Sequence, residues 1–110
     1  MDINKMIESK YLKAIDLDDE MTTMVIDRLD IAEFEQGAKP VLFFEREGRG
    51  LVLNKTNTRA IGTAYGYETD AWIGKRVILF RTTVNFQGSR IDAIRVKIPA
   101  DEKVQDPAPL

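Results

Sequence analysis

The chain has 110 residues, 44% of them apolar and 31% charged, with no cysteine, no histidine and a formal charge of −2. That is one domain's length, and a domain of this size hides roughly 65% of its unfolded surface, enough to fold without a disulfide or metal staple. Without Cys and His, thiol catalysis, Ser-His triads, imidazole proton transfer and the usual zinc sites are excluded, and the lack of cysteine fits a reducing cytoplasm.

The net charge conceals a segregation. Residues 1–36 hold ten acids and four bases, residues 37–98 five acids and eleven bases, and residues 99–110 three acids and one base. A basic body between acidic ends fits a polyanion partner, or simply a two-signed solvated surface. The first residues lack the layout of a signal peptide, and no apolar run approaches the ~18 residues of a membrane span.

Residues 1–20 form an N-terminal segment, partly helical or irregular. Met6, Ile7, Lys10, Tyr11 and Ala14 fall on one helical face, and residues 16–20 form a polar turn. Asp16, Asp18 and Glu20 imitate the opening of a calcium loop. Met21 stands where that loop needs glycine, however, and Asp27 where it needs glutamate.

From Met21 the pattern turns to β. Met24 and Ile26, then Leu29 and Ile31, alternate with polar neighbours, and the change of phase between the pairs predicts a bulge in a long first strand. Residues 35–40 read as a turn. Residues 41–44 are apolar on both faces, so one of Phe43 and Phe44 points inward and the other outward. A glycine turn over 48–50 leads to a third strand over 51–54. Asn and Thr residues from Asn54 onward cap a short helix that carries Ile61, Ala64 and Tyr65 on one face and ends near Gly66.

A loop over 67–74 precedes a fourth strand over 75–86. Residues 87–89 turn the chain into a fifth strand over 90–98, with Ile94, Val96 and Ile98 on one side and Ala93, Arg95 and Lys97 on the other. Residues 99–110, rich in acids and prolines, read as a disordered tail.

The fold class is therefore all-β with one short helix. The order strand, strand, strand, helix, strand, strand over 21–98 is that of a five-stranded OB-fold-like β-barrel. Another five-stranded barrel or sandwich has the same order of elements.

Several stretches resemble a family of small phage and prophage proteins: Ser9-Lys10-Tyr11-Leu12-Lys13-Ala14, Lys39-Pro40-Val41-Leu42-Phe43-Phe44, and the run from Gly50 to Asn57. Trp72-Ile73-Gly74-Lys75-Arg76-Val77 and Ala93-Ile94-Arg95-Val96 carry the same resemblance, which spans residues 9–98. It implies an OB-like protein of phage DNA metabolism that binds single-stranded DNA in the bacterial host cytoplasm. It supplies no catalytic residue. Bacterial single-strand binding proteins usually end in an acidic tail tipped with a proline and an aromatic residue, whereas this chain ends Pro107-Ala108-Pro109-Leu110.

Single-strand binding needs cations along the phosphates and aromatic faces for the bases. The cationic candidates are Arg46 and Arg49 at the hairpin between strands two and three, and Lys55 and Arg59 at the helix start. Lys75 and Arg76 lead into strand four, and Arg90, Arg95 and Lys97 lie in strand five. Phe43, Phe44 and Trp72 are the aromatic candidates, although Trp72 also reads as a plug between helix and barrel. Phe80, in a strand apolar on both faces, is assigned to the core. Glu45 and Glu47 alternate with arginines, which suggests solvated cross-strand pairing rather than acid–base catalysis.

No phosphate-cradling glycine loop or nucleophile elbow is present. The expectation is a non-enzymatic binding module with no metal and no cofactor. Its partners are single-stranded DNA, phage replication or recombination proteins, and a homo-oligomeric assembly, with no membrane. The alternative is a protein–protein interaction or virion-assembly module.

Overall fold

A 13-residue strand, β1 (Thr22–Phe34), organises the structure by serving two neighbours in turn. Its first half pairs antiparallel with β4 (Arg76–Phe86), from Thr22 opposite Leu79 to Val25 opposite Arg76. Its second half pairs with β2 (Gly37–Phe44), from Arg28 opposite Phe43 to Phe34 opposite Gly37. Between them the register slips between Ile26 and Arg28, the bulge that the change of apolar phase predicts. A bulge adds local twist, which lets one strand leave one partner and join another. The computed structural model describes residues 10–17 and 21–102.

The remaining strands extend each half. β3 is only Leu51–Val52, paired with Leu42 and Val41 of β2, and β5 (Ser89–Lys97) forms a hairpin with β4. Gln87 and Gly88 connect that hairpin with φ of 52° and 84°. Positive φ at both central residues is what a two-residue type I′ turn requires. The result is one antiparallel sheet in the order β3-β2-β1-β4-β5.

Between β3 and β4 lies helix α1 (Lys55–Tyr65), capped by the Asn54 side chain, which accepts a hydrogen bond from the Asn57 N–H at 2.8 Å. Such a cap stabilises by ~1 kcal/mol. Ile61 of α1 is buried with Ile26, Leu42, Phe44, Val77, Leu79, Ile94 and Val96 in a single core. Each such side chain contributes ~1.5–3 kcal/mol on burial. One-turn 3-10 helices at Ala14–Asp16, Thr69–Trp72 and Ala100–Glu102 complete the described residues.

Several expectations change. The turn expected over residues 35–40 is only Glu35 and Gln36, because residues 37–40 already pair with β1. The connection between β2 and β3 is a six-residue loop rather than a tight glycine turn, because Arg46 takes a positive φ of 66° and Glu47 folds back onto Arg49. Gly50 must be small there: a Cβ would lie 2.5 Å from Val41 Cγ1 and 2.9 Å from Phe43 Cε1. Phe80 is half-buried on the outer face of β4, with core positions Val77 and Leu79 on the opposite side.

The barrel is also not closed, since among the described residues no ladder joins β3 to β5. In the gap lies Asn57, 1% exposed, whose Nδ2 donates to the Ile94 carbonyl at 3.0 Å and whose Oδ1 accepts from the Val96 N–H at 3.1 Å. One side-chain amide thus takes the place of a strand partner on the edge of β5. Just before β3, residues 10–12 bond to Gly50 in the same way, with Tyr11 bridging Gly50 in parallel.

Of the helical face expected from Met6 to Ala14, the part before Lys10 lies outside the described residues, while Tyr11 forms a β-bridge and only Ala14 enters a 3-10 turn. The acids Asp18, Asp19 and Glu20 and the tail beyond Glu102 also lie outside the described residues. No described helix is long and apolar enough to cross a membrane.

Candidate functional site

Where β2, the exit of β3 and the first turns of α1 meet, they enclose an open pocket of about 650 Å³. Lys39, Pro40, Leu53, Asn54, Lys55, Thr58 and Arg59 line it. Three of these residues are cationic and none is acidic. Lys55 and Arg59 are exposed and four residues apart, so they share a face of the helix. Lys39 reaches the same pocket from β2, its Nζ 5.7 Å from the centre of the Phe34 ring. The start of α1 adds the partial positive charge of its free N–H groups. Positive charge from β2 and from α1 therefore converges on one concavity.

The neighbouring outer face of β1 and β2 carries aromatics, and these are already engaged. Phe43 is half-buried, and the Arg28 guanidinium carbon sits 4.1 Å from its ring centre. Arg28 is oriented by Asp30 at 3.0 Å and Asp27 at 3.2 Å; its pKa is raised, chiefly by the hydrogen bond it donates to Asp30. Phe34 packs against Tyr11 with ring centres 5.4 Å apart.

A second cationic–aromatic group lies on the outer face of the β4–β5 hairpin. Phe80 is directly opposite Arg95, and Lys97 Nζ is 5.8 Å from the Phe80 ring centre.

The other sequence candidates are dispersed. Arg46 is exposed in the β2–β3 loop, lining a separate concavity with Glu45 and Glu47. Arg49 is committed internally: its Nε donates to Glu47 Oε2 at 2.9 Å and its Nη1 lies 3.4 Å from Asp16 Oδ1. Hydrogen bonding to Arg49 holds the Glu47 carboxyl below its usual range and raises the pKa of Arg49. The pairing expected across strands for Glu47 is thus local, within the loop. Arg76 is bound to Asp101, whose pKa it lowers. Lys75 lies over the Tyr65 ring at 5.8 Å, and Arg90 is exposed at the start of β5.

Phe44 and Trp72 need correction as stacking candidates. Both are in the core, 3% and 2% exposed, because Phe44 belongs to the inward phase of β2 and the Trp72 indole N–H donates to the Gly66 carbonyl at 2.8 Å. Neither offers a ring face to a ligand. Sequence reasoning left Arg28 among the acids of the N-terminal third and placed Phe80 in the core. Lys39 is one of the eleven bases of residues 37–98 to which the sequence assigns no site. Only the register of β1 against β2, and of β4 against β5, reveals these positions.

Among the described residues no group of three or more His, Cys, Asp or Glu side chains is arranged to hold a metal ion. In comparisons with known proteins, no family model matches the chain, and no curated protein or solved structure shows significant similarity to it.

Proposed function

We propose that this chain is a non-enzymatic binding module for single-stranded DNA, built on an OB-like barrel and acting in phage or prophage DNA metabolism in a bacterial cytoplasm. The observation that carries this reading is the acid-free pocket lined by Lys39, Lys55 and Arg59. Two backbone features support the OB-like part: the sheet order with β1 shared between both halves, and the helix between the third and fourth strands.

In this reading the strand's phosphates lie against the three cations and the start of α1. Arginine adds a planar fork suited to phosphate oxygens. Bases stack on outward aromatics, either on Phe43 after Arg28 swings aside or on Phe80 beside Arg95 and Lys97. Each stack is worth ~1–3 kcal/mol.

The test is fluorescence anisotropy with a labelled oligo-dT, because Trp72 is too deeply buried to report a contact. Replacing Lys39, Lys55 and Arg59 together by alanine is expected to weaken binding at least ~10-fold with an unchanged melting temperature. Absence of binding by the unaltered chain at low salt overturns the proposal and favours an interaction or assembly module.

A further inference from the structure

The edge of β5 is occupied for only part of its length. The hydrogen bonds that Asn57 donates to the Ile94 carbonyl and accepts from the Val96 N–H show that the backbone groups of these even-numbered residues point away from β4. Alternation along the strand turns the N–H and C=O groups of Arg90 and Asp92 outward in the same way. Residues 89–92 are all exposed, and among the described residues no strand lies beside Arg90 and Asp92 in the sheet; Leu12, Lys13 and Ala14 reach the edge only at Asp92, where they line a concavity with it. The face above this edge is apolar: Ile91 is 43% exposed and Phe86 57% exposed, with Val84 directly opposite Ile91. An exposed apolar edge of this kind is a template for another strand.

We propose that this edge binds the same edge of a second copy of the chain, antiparallel about a two-fold axis at Ile91. The register follows from two requirements. Outward-pointing residues must face each other so that their backbone groups bond, and unlike charges must be opposed. Centring the axis at Ile91 places Arg90 opposite the second copy's Asp92, and Asp92 opposite its Arg90, which meets both.

Moving the axis by one residue opposes Arg90 to Arg90 or Asp92 to Asp92 and brings like charges together. Moving it further toward the C-terminus runs into the section held by Asn57. The residues directly facing Arg90 and Asp92 on β4 are the uncharged Asn85 and Thr83, and Thr83 Oγ1 donates to Asp92 Oδ1 at 3.4 Å. On the apolar face, Ile91 meets its own copy at a non-hydrogen-bonded position, where opposed side chains are closest. The two five-stranded sheets then run on as one.

The whole chain is tested by analytical ultracentrifugation from about 1 to about 300 µM, a range that brackets a micromolar Kd. A species of twice the 12.5 kDa chain mass is expected as concentration rises. Arg90→Asp and Asp92→Arg should each raise the dimer Kd about tenfold, since two symmetry-related pairs become repulsive at once. The double swap should restore it. The cysteine-free sequence allows a second readout: Ile91→Cys should cross-link on oxidation, whereas Thr63→Cys, exposed on α1, should not. A monomer at every concentration overturns the proposal and leaves this edge to a strand of another protein. Single swaps that dimerise normally, or a double swap that fails to recover, overturn it equally.

Discussion

Asn57 shows how much one polar side chain can carry. It is buried, and both ends of its amide are used on the β5 edge, so the inner end of the open seam needs no paired strand. Asn57→Ala would leave a buried N–H and a buried carbonyl without partners, at ~1–3 kcal/mol for each group. A loss of about 2–4 kcal/mol in urea unfolding is expected, and a variant as stable as the parent would show that water replaces the amide. Glu47 provides a pH-dependent contribution. Arg49 depresses its pKa below the usual 4.5, so the carboxylate stabilises the fold fully above that pH. The contribution disappears as pH falls through the lower folded-state value. Glu47→Gln should therefore cost stability at pH 7, by no more than about 1 kcal/mol for a partly exposed pair. The gap from the parent should narrow as pH falls below 4.5 and Glu47 protonates, as thermal melts across pH would show.

At the scale of elements, the connections decide the geometry. The β4–β5 turn places Gln87 at φ 52°, a region that asparagine and glycine tolerate better. Gln87→Asn is expected to raise stability by about 0.5 kcal/mol, read as an upward shift in melting temperature. A neutral or negative shift would mean that the Gln87 side chain makes a contact worth more than the backbone strain. The strands themselves follow local pattern: the alternation of Ile94, Val96 and Ile98 against Arg95 and Lys97, and the phase slip after Ile26, both appear in the fold. The shortness of β3 was not readable, because it depends on Gly50 meeting Val41 and Phe43 and on Arg49 closing the preceding loop.

For the molecule as a whole, charge is the property on which the proposed function rests. The eleven cations of residues 37–98 do not form one band: Arg49 and Arg76 are held by Asp16, Glu47 and Asp101, while Lys39, Lys55 and Arg59 share a pocket. If three phosphates are neutralised there, the logarithm of the single-strand binding constant should fall with the logarithm of salt with a slope of about −2. Raising salt from about 50 to about 200 mM would then weaken binding about twentyfold. A slope near zero would show that the pocket holds something other than a nucleic-acid backbone.

The linear order of residues by itself determined the element sequence, the bulge, the capped helix, a tight turn between the last two strands and the concentration of positive charge between acidic ends. All of these follow from neighbours a few positions apart, where alternation, capping and backbone preference act. Tertiary structure alone decided that Phe44 and Trp72 are buried while Phe43 and Phe80 lie on outer faces. It also decided that Lys39 joins Lys55 and Arg59 in one pocket, and that Asn57, within the helix, serves an edge 37 residues away. Such outcomes depend on which strand lies beside which, and register between distant segments is written in no local pattern.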